Sequence, residues 1–452
     1  MAILLRAKKL LHAKSKHLLL LWVVGLLLRG TFFTAFLAEG DRAWLCYDSA
    51  QYQERADHLL SAKRLTPAQS SQQAYRLPGY PAFLATCYAL CGPSPKKALL
   101  VQLVLGSFVP VLVYFLACQL FPLVPVVAWG AAWVACVHTG LVIFSGMLAT
   151  ETLAVLLLLF LLLVLFRWPY KLALAGGLLG LLSLLRPIGH YLLPLMVCWL
   201  WWQHRSPRQL LWFSGSWLVV VLPWLIRNVL LVGGLCFHTL PGMHFLQYSA
   251  VAVVMQQKQK TYVQARSALL NRWDAECHKK AIKQGHAVTE YQRCVLGEEL
   301  AKKIVLAHPW QAVKHMATEL FKTLCALHAT QLIVADVGGW PVYTAQTTLV
   351  EKICYNLTPP LKTWWLLPII YADVLATIGL LFFSLIGLFL LLVNHRFGSR
   401  HFLALLIAGL LWGVTLAYGC ARLRLLFEPI MIMFGVYGAY QLYCWSTGKK
   451  TQ

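Results

Sequence analysis

The feature that most limits this chain is a series of apolar runs that must be buried away from water. They fall at residues 18–38, 99–121, 124–144, 148–166, 172–185, 191–202, 210–226, 366–393, 402–418 and 425–445. Several reach the roughly 20 residues that a helix needs to cross a hydrocarbon layer. Backbone in lipid must satisfy its own hydrogen bonds, so such runs fold as helices. The remaining sequence does not offset them. Of the 452 residues, 59% are hydrophobic and only 12% are charged, too apolar a balance for one soluble core. The expected fold is all-α, a polytopic transmembrane bundle of about ten spans with amphipathic helices and a larger segment outside it.

The first run follows Arg6, Lys8, Lys9, Lys14 and Lys16, and Arg29, Phe32 and Phe33 interrupt its end where a small-residue cleavage site would stand. It reads as a retained first helix. With both termini in the cytoplasm, Arg167, Lys171, Arg205, Arg208, Arg396, Arg400, Lys449 and Lys450 fall on the inner side, as the positive-inside rule requires. Lys96 and Lys97 fall outside, at the end of a long loop where that rule is weak. This layout divides the chain into an N-terminal membrane module, 1–226, with a first external loop at 39–97; an extracytoplasmic segment, 227–365; and C-terminal membrane helices, 366–452. Arg186-Pro187 separates two short runs into a broken hairpin, and 332–342 is expected to be re-entrant. Pro309 should open a helix over 311–327, with Trp310 at the interface. No internal repeat is visible, which argues against an inverted-repeat transporter.

The net charge is +23, from 39 basic and 16 acidic residues. The basic residues lie mostly between spans, which points to membrane lipid headgroups and an anionic substrate rather than nucleic acid. The thirteen cysteines are scattered without a CxxC pair, and no Walker or Rossmann pattern occurs. Acids are scarce enough to weigh singly. Asp48, Glu151, Asp373 and Glu428 lie within or beside the apolar runs, all toward the non-cytoplasmic face. Ionisable groups near hydrocarbon are costly and tend to mark a water-filled functional cavity.

Asp48 opens a helical pattern in which Tyr52, Ala56, Leu59 and Leu60 recur together while Glu54, Arg55, Asp57 and His58 occupy other faces. It suits a helix N-cap, with Gln51 completing a capping box, and that role can coexist with catalysis. Tyr75-Arg76-Leu77-Pro78-Gly79-Tyr80-Pro81 makes a rigid turn whose Arg76 and Tyr80 either line a site or only lead into the next helix. Glu151 stands where it favours a helix dipole. Arg186, Arg227, Arg422 and Arg424 sit at outer ends of spans, and their planar forks suit phosphate. Snorkelling is the competing reading for any one of them.

Together, Asp48-Ser49-x-x-Tyr52, Arg76-x-Pro78-Gly79-Tyr80-Pro81 and Thr150-Glu151-Thr152 resemble the first part of GT-C class membrane glycosyltransferases. Within that class the chain looks like the dolichyl-phosphate-mannose protein mannosyltransferase-like family, which includes the bacterial aminoarabinose transferases acting on lipid A. Leu185-Arg186-Pro187, Pro223-Trp224-x-x-Arg227-Asn228 and Arg422-x-Arg424 extend the resemblance, whereas 229–360 matches nothing in it. The resemblance implies a glycosyltransferase that moves a sugar, with inversion, from a polyprenyl-phosphate donor to an extracytoplasmic lipid, glycan or protein acceptor. It implies Asp48 as the catalytic base and Glu151 as a second catalytic-site residue, orienting a hydroxyl or a partner arginine. It also implies Arg227, Arg422, Arg424 and Arg186 at the donor phosphate, and Arg76, Tyr80 and Tyr52 as substrate-positioning residues. In one departure, Glu428 stands beside Pro429 where the family's tail has Arg-Tyr-x-x-Pro, so the role of Glu428 stays open.

No metal ligands are assigned; a divalent cation would require two or more of Asp48, Glu151, Asp373 and Glu428 to converge. The competing classes are a transporter or flippase of polyprenyl-linked glycans, an envelope polysaccharide polymerase or ligase, and a receptor-like scaffold. The expected location is a bacterial inner membrane with a periplasmic site, or the endoplasmic reticulum with a lumenal one.

Overall fold

The computed structural model describes residues 2–38, 45, 48–67, 70–337, 359, 361, 363–394 and 396–449, without the side chains of 2–14, 36–38, 204, 335–337 and 365. Among the described residues there is no strand. The helices are α1 (Ala2–Ala38), α2 (Ser49–Ala62), α3 (Gly79–Cys91), α4 (Pro95–Gly106), α5 (Val109–Leu120), α6 (Pro125–Val137) and α7 (Thr139–Ile143). There follow α8 (Glu151–Arg167), α9 (Leu172–Leu185), α10 (Ile188–His204), α11 (Pro207–Val232), α12 (Leu240–His244), α13 (Val251–Lys258), α14 (Tyr262–Gln284), α15 (Glu290–Ala307) and α16 (Pro309–Cys325). The last are α17 (Thr330–Val337), α18 (Leu367–Val393), α19 (Ser399–Gly413), α20 (Ala421–Arg424) and α21 (Glu428–Ser446).

All ten apolar runs fall on helices, and proline opens many of these, including α4, α6, α11 and α18. Among the described residues, five helical stretches are long and apolar enough to cross a membrane: Ser15–Ala35, Pro95–Leu120, Pro207–Val232, Leu367–Val393 and Ser399–Ala417. A sixth forms if Pro125–Val137 and Thr139–Gly146, bent by 55°, count as one span. The sequence reading gives ten approximate spans, with 172–185 and 191–202 set apart as short runs of a broken hairpin. A 14-residue helix such as α9 is only about 21 Å long, so a run of that length does not cross the hydrocarbon by itself. Instead α9 packs between α8 and α11.

Between α11 and α18 the chain builds a smaller layer with its own core of Leu246, Leu269, Trp273 and Leu300. Thr261 and Thr289 open α14 and α15 with complete capping boxes. Pro309 does open α16, and α17 covers the first part of the expected re-entrant piece, whose residues 338–342 lie outside the described ones. In α2, Tyr52 and Ala56 are buried as expected. Arg55, placed by spacing on another face, is buried as well and donates to the carbonyls of Gln51 (3.2 Å) and Gln72 (3.4 Å). Those two acceptors compensate the burial of its charge.

Candidate active site

Asp48 occupies the N-cap position of α2, yet its side chain makes no capping hydrogen bond. Two guanidiniums take it instead. Arg76 Nη2 donates to Asp48 Oδ1 at 2.5 Å, and Arg422 Nη1 donates to Asp48 Oδ2 at 2.9 Å. Gln51 does not close a capping box either; its Oε1 accepts from Arg76 Nε at 2.7 Å and fixes that arginine's plane. Arg422 Nε reaches on to Glu151 Oε1, which also accepts from Arg186 Nη1 at 2.6 Å. Arg76, Asp48, Arg422, Glu151 and Arg186 thus form one continuous chain of charge. Its members come from the entry to α2, the turn before α3, α20, the first residue of α8 and the end of α9.

Local structure explains why these groups meet. Gly79 sits where α3 meets α9: a Cβ there would lie 2.7 Å from the Leu184 carbonyl oxygen, so only glycine admits this approach beside Arg76. The non-helical stretch before α8 is held from outside, as backbone at membrane depth requires. Gln102 Nε2 donates to the carbonyls of Phe144, Ser145 and Met147, and Ser49 Oγ donates to Leu148 O at 2.8 Å. Ser49 therefore ties the Asp48 turn directly to the Glu151 turn. Tyr80, buried, donates its hydroxyl to Gln102 Oε1 at 2.8 Å and meets Tyr52 edge-on at 5.0 Å, with Arg76 5.8 Å from the Tyr52 ring centre. Both tyrosines support the arginine from below.

Three guanidiniums face two carboxylates, so the cluster carries surplus positive charge. Asp48, Arg422 and Arg76 remain 19, 18 and 14% exposed at their side chains, while Glu151 is fully buried with Oε2 unpartnered. Burial alone would push the Asp48 carboxyl up, but Arg422 and Arg76 outweigh it and hold the group below the usual carboxylate range. His244, at the end of α12, feels the charges of both Asp48 and Arg76; burial, with Arg76 assisting, brings it down to about 4. A single π-helical stretch, Phe245–Ala250, follows it, a device frequent at functional sites.

The other arginines lie elsewhere. Arg227 stacks on Trp224 at 4.6 Å and donates to Gln73 O (3.2 Å) and Asn228 Oδ1 (3.0 Å). With Glu290, which accepts from Ala74 N and the Thr239 hydroxyl, it fastens the first loop to the segment after α11. Arg424 donates to Glu428 Oε1 (2.6 Å), Thr323 O (3.2 Å), Leu324 O and Thr377 Oγ1 (3.4 Å), and is buried. Glu428 also receives His328 Nε2 at 2.6 Å, and Asp373 accepts from Ala329 N at 2.9 Å. The four acids grouped by sequence are thus resolved into two pairs, and the four arginines into three places. Arg422 and Arg424 diverge because residues two apart on a helix point about 200° apart.

Among the described residues, no group of three or more His, Cys, Asp and Glu side chains is placed to hold a metal ion. At the Asp48–Glu151 cluster the carboxylates already face guanidiniums, so this donor set does not fit a divalent cation. Gln102, Glu290 and His244 escaped the sequence reading, which took Gln51 only as a cap partner. Of the three, Gln102 left a signal there, as an amide inside an apolar run.

No protein-family model matches the sequence, and no curated protein matches it. Solved structures do. The archaeal oligosaccharyltransferase AglB from Archaeoglobus fulgidus, in complex with an inhibitory peptide and a dolichol-phosphate, aligns with a TM-score of 0.52 and 9% identity, over 97% of this chain and 53% of that one. The apo form of the Archaeoglobus fulgidus oligosaccharyltransferase aligns with a TM-score of 0.50 and 13% identity, over 96% and 52%. A looser alignment joins ArnT from Cupriavidus metallidurans, with a TM-score of 0.41 and 11% identity over 94% and 77%. The chain spans about half the length of the oligosaccharyltransferase. At such identities the likeness is one of fold: over nearly its whole length, this chain follows the fold of about half of the archaeal oligosaccharyltransferase.

Proposed function

We propose that the protein is a glycosyltransferase that moves a sugar from a polyprenyl-phosphate donor to an extracytoplasmic lipid, glycan or protein acceptor, with inversion. The observation that carries this reading is the Asp48 carboxylate gripped by Arg76 and Arg422, with Glu151 and Arg186 continuing the chain. The shared fold supports the class, and the surplus positive charge beside apolar helices suits a donor with a lipid tail and a phosphate head. Donor phosphate binds Arg422 and Arg186, and Glu151 Oε2 accepts a hydroxyl of the donor or acceptor. Competition by the phosphate draws the guanidiniums from Asp48, whose basicity rises as substrate arrives.

In the reaction, the acceptor oxygen or nitrogen bonds to the anomeric carbon from the face opposite the leaving group. The bond from that carbon to the phosphate oxygen breaks, and polyprenyl phosphate leaves with the electron pair, its charge held by the arginines. Asp48 takes the acceptor's proton. Arg76, braced by Gln51 and underlain by Tyr52 and Tyr80, positions the reactants. Arg227 and Arg424 act outside this centre in the reading, as a loop fastener and an internal ion-pair partner.

The test compares polyprenyl-phosphate sugars by mass spectrometry in cells making equal folded amounts of wild type or Asp48→Asn. The expected result is accumulation of one donor species in the variant. Identical pools, with no turnover of such lipids by the wild type, would remove the transferase reading and favour a glycan flippase.

A further inference from the structure

A second polar site lies at the other end of the bundle. Helices α8 and α10 start beside the Asp48–Glu151 cluster, and Trp199, near the far end of α10, donates Nε1 to Ser399 O at 3.1 Å. Helix α19 starts at Ser399 and runs back toward the cluster for about 22 Å. At its start the connections 119–124 and 396–401, with Tyr437 of α21, enclose a cavity of about 380 Å³.

Three features of this cavity converge on an anionic head with an apolar tail. First, it contains the N-terminus of a 15-residue helix, where the first-turn amides have no intrahelical acceptor. Second, His401 lines it at 8% exposure, with its ring 5.3 Å from Phe121 and 5.9 Å from Phe397. Its Nδ1 accepts from Gly398 N–H at 3.0 Å, which puts the proton of the neutral ring on Nε2. That Nε2–H is buried without a partner; the Leu120 carbonyl is near but outside hydrogen-bonding geometry. A buried donor without an acceptor is costly, and an oxygen in the cavity would satisfy it. Third, Arg396 and Arg400 stand on the rim, with Arg400 Nη1 braced by Gln119 O at 3.2 Å.

The remaining wall, including Leu120, Phe121, Leu123 and Leu391, is apolar. Leu123 and nearby Val126 are 68 and 59% exposed, so the apolar wall runs out onto the surface of the bundle. A free inorganic ion would use the donors and leave this wall unmatched.

We propose that this cavity binds a phosphate-headed lipid, its phosphate oxygens on the α19 amides, His401 Nε2–H and Arg400, and its chain along Leu120–Leu123. The site is independent of the transfer centre and of the function proposed for it.

The test titrates the detergent-solubilised full chain with phosphatidic acid and with diacylglycerol of the same acyl chains, read by native mass spectrometry. Wild type should hold phosphatidic acid at least about tenfold more tightly, and Arg400→Gln and His401→Phe should each weaken it about tenfold. Asp48→Asn should bind it as wild type does, so failure here and failure of the transferase reading are separable. Equal affinity for the two lipids, or unchanged binding by both cavity variants, would overturn the proposal. Displacement of the lipid by inorganic phosphate at equal concentration would reassign the cavity to a free anion and overturn the lipid. Melting curves accompany each variant; should one unfold early, the two-lipid comparison on wild type decides.

Discussion

Arg422 and Arg424 stand two residues apart on one short helix and enter polar clusters of opposite character. Arg422 joins Asp48 and Glu151, where most side chains keep 11–19% of their surface open. Arg424 joins Glu428, His328, His138, Thr377 and two carbonyls, where the ion-paired side chains are at most 6% exposed. The first arrangement leaves charge available to an incoming ligand. The second consumes it internally, linking α16 and α18 to α21. Charge near hydrocarbon therefore does not by itself mark a reaction centre; access decides.

That contrast can be broken by mutation. Asp48→Asn should lower transfer by about 10²–10⁴-fold with little change in melting temperature. Next in size, Glu428→Ala leaves Arg424 as an unpaired buried charge and should cost about 3–5 kcal/mol of stability. Turnover per folded molecule should then match wild type, checked by activity normalised to the monodisperse fraction. Arg422→Gln should cost about 10²–10³-fold in turnover if it carries the leaving phosphate; a change confined to melting temperature would move Arg422 into the structural class. A smaller effect, about fivefold on kcat/KM, is expected for Gln51→Ala, which frees Arg76 from one hydrogen bond.

The pH profile sharpens the comparison further. Because the Asp48 pKa is depressed, its contribution to stability and its basic form are both present above the ordinary value of 3.8 and are lost only as pH falls through the lower folded value. His244, brought down to about 4, stays neutral above that pH. The acid limb of kcat/KM should therefore lie at or below about pH 4, and an inflection near 6.5, the ordinary histidine value, would contradict this electrostatic picture.

Much of the fold was legible because apolar runs and proline starts are local signals. Every one of the ten runs lies on helix, and Pro309 opens α16 as its position suggested. The number of spans was less legible, since apolarity records burial and not length across a membrane, as α9 shows. Asp48, Arg76 and Glu151 could be singled out as scarce polar residues beside apolar runs. Their partners could not: Arg422 meets Asp48 across 374 positions of chain, and no local pattern distinguishes it from Arg424. Gln51 was read as a cap partner because it stands three residues after Asp48, as a capping box requires; the guanidinium that takes it arrives from 25 residues away.

The most direct measurement uses reconstituted protein, the polyprenyl-phosphate lipid fraction from Asp48→Asn cells and an acceptor-containing membrane extract of the same cells, following release of free polyprenyl phosphate per folded molecule. Wild type and Arg424→Met should release it at matching rates, and Asp48→Asn should release almost none. Equal release by Asp48→Asn and wild type, or loss confined to Arg424→Met, would contradict the assignment of chemistry to the open cluster and architecture to the closed one.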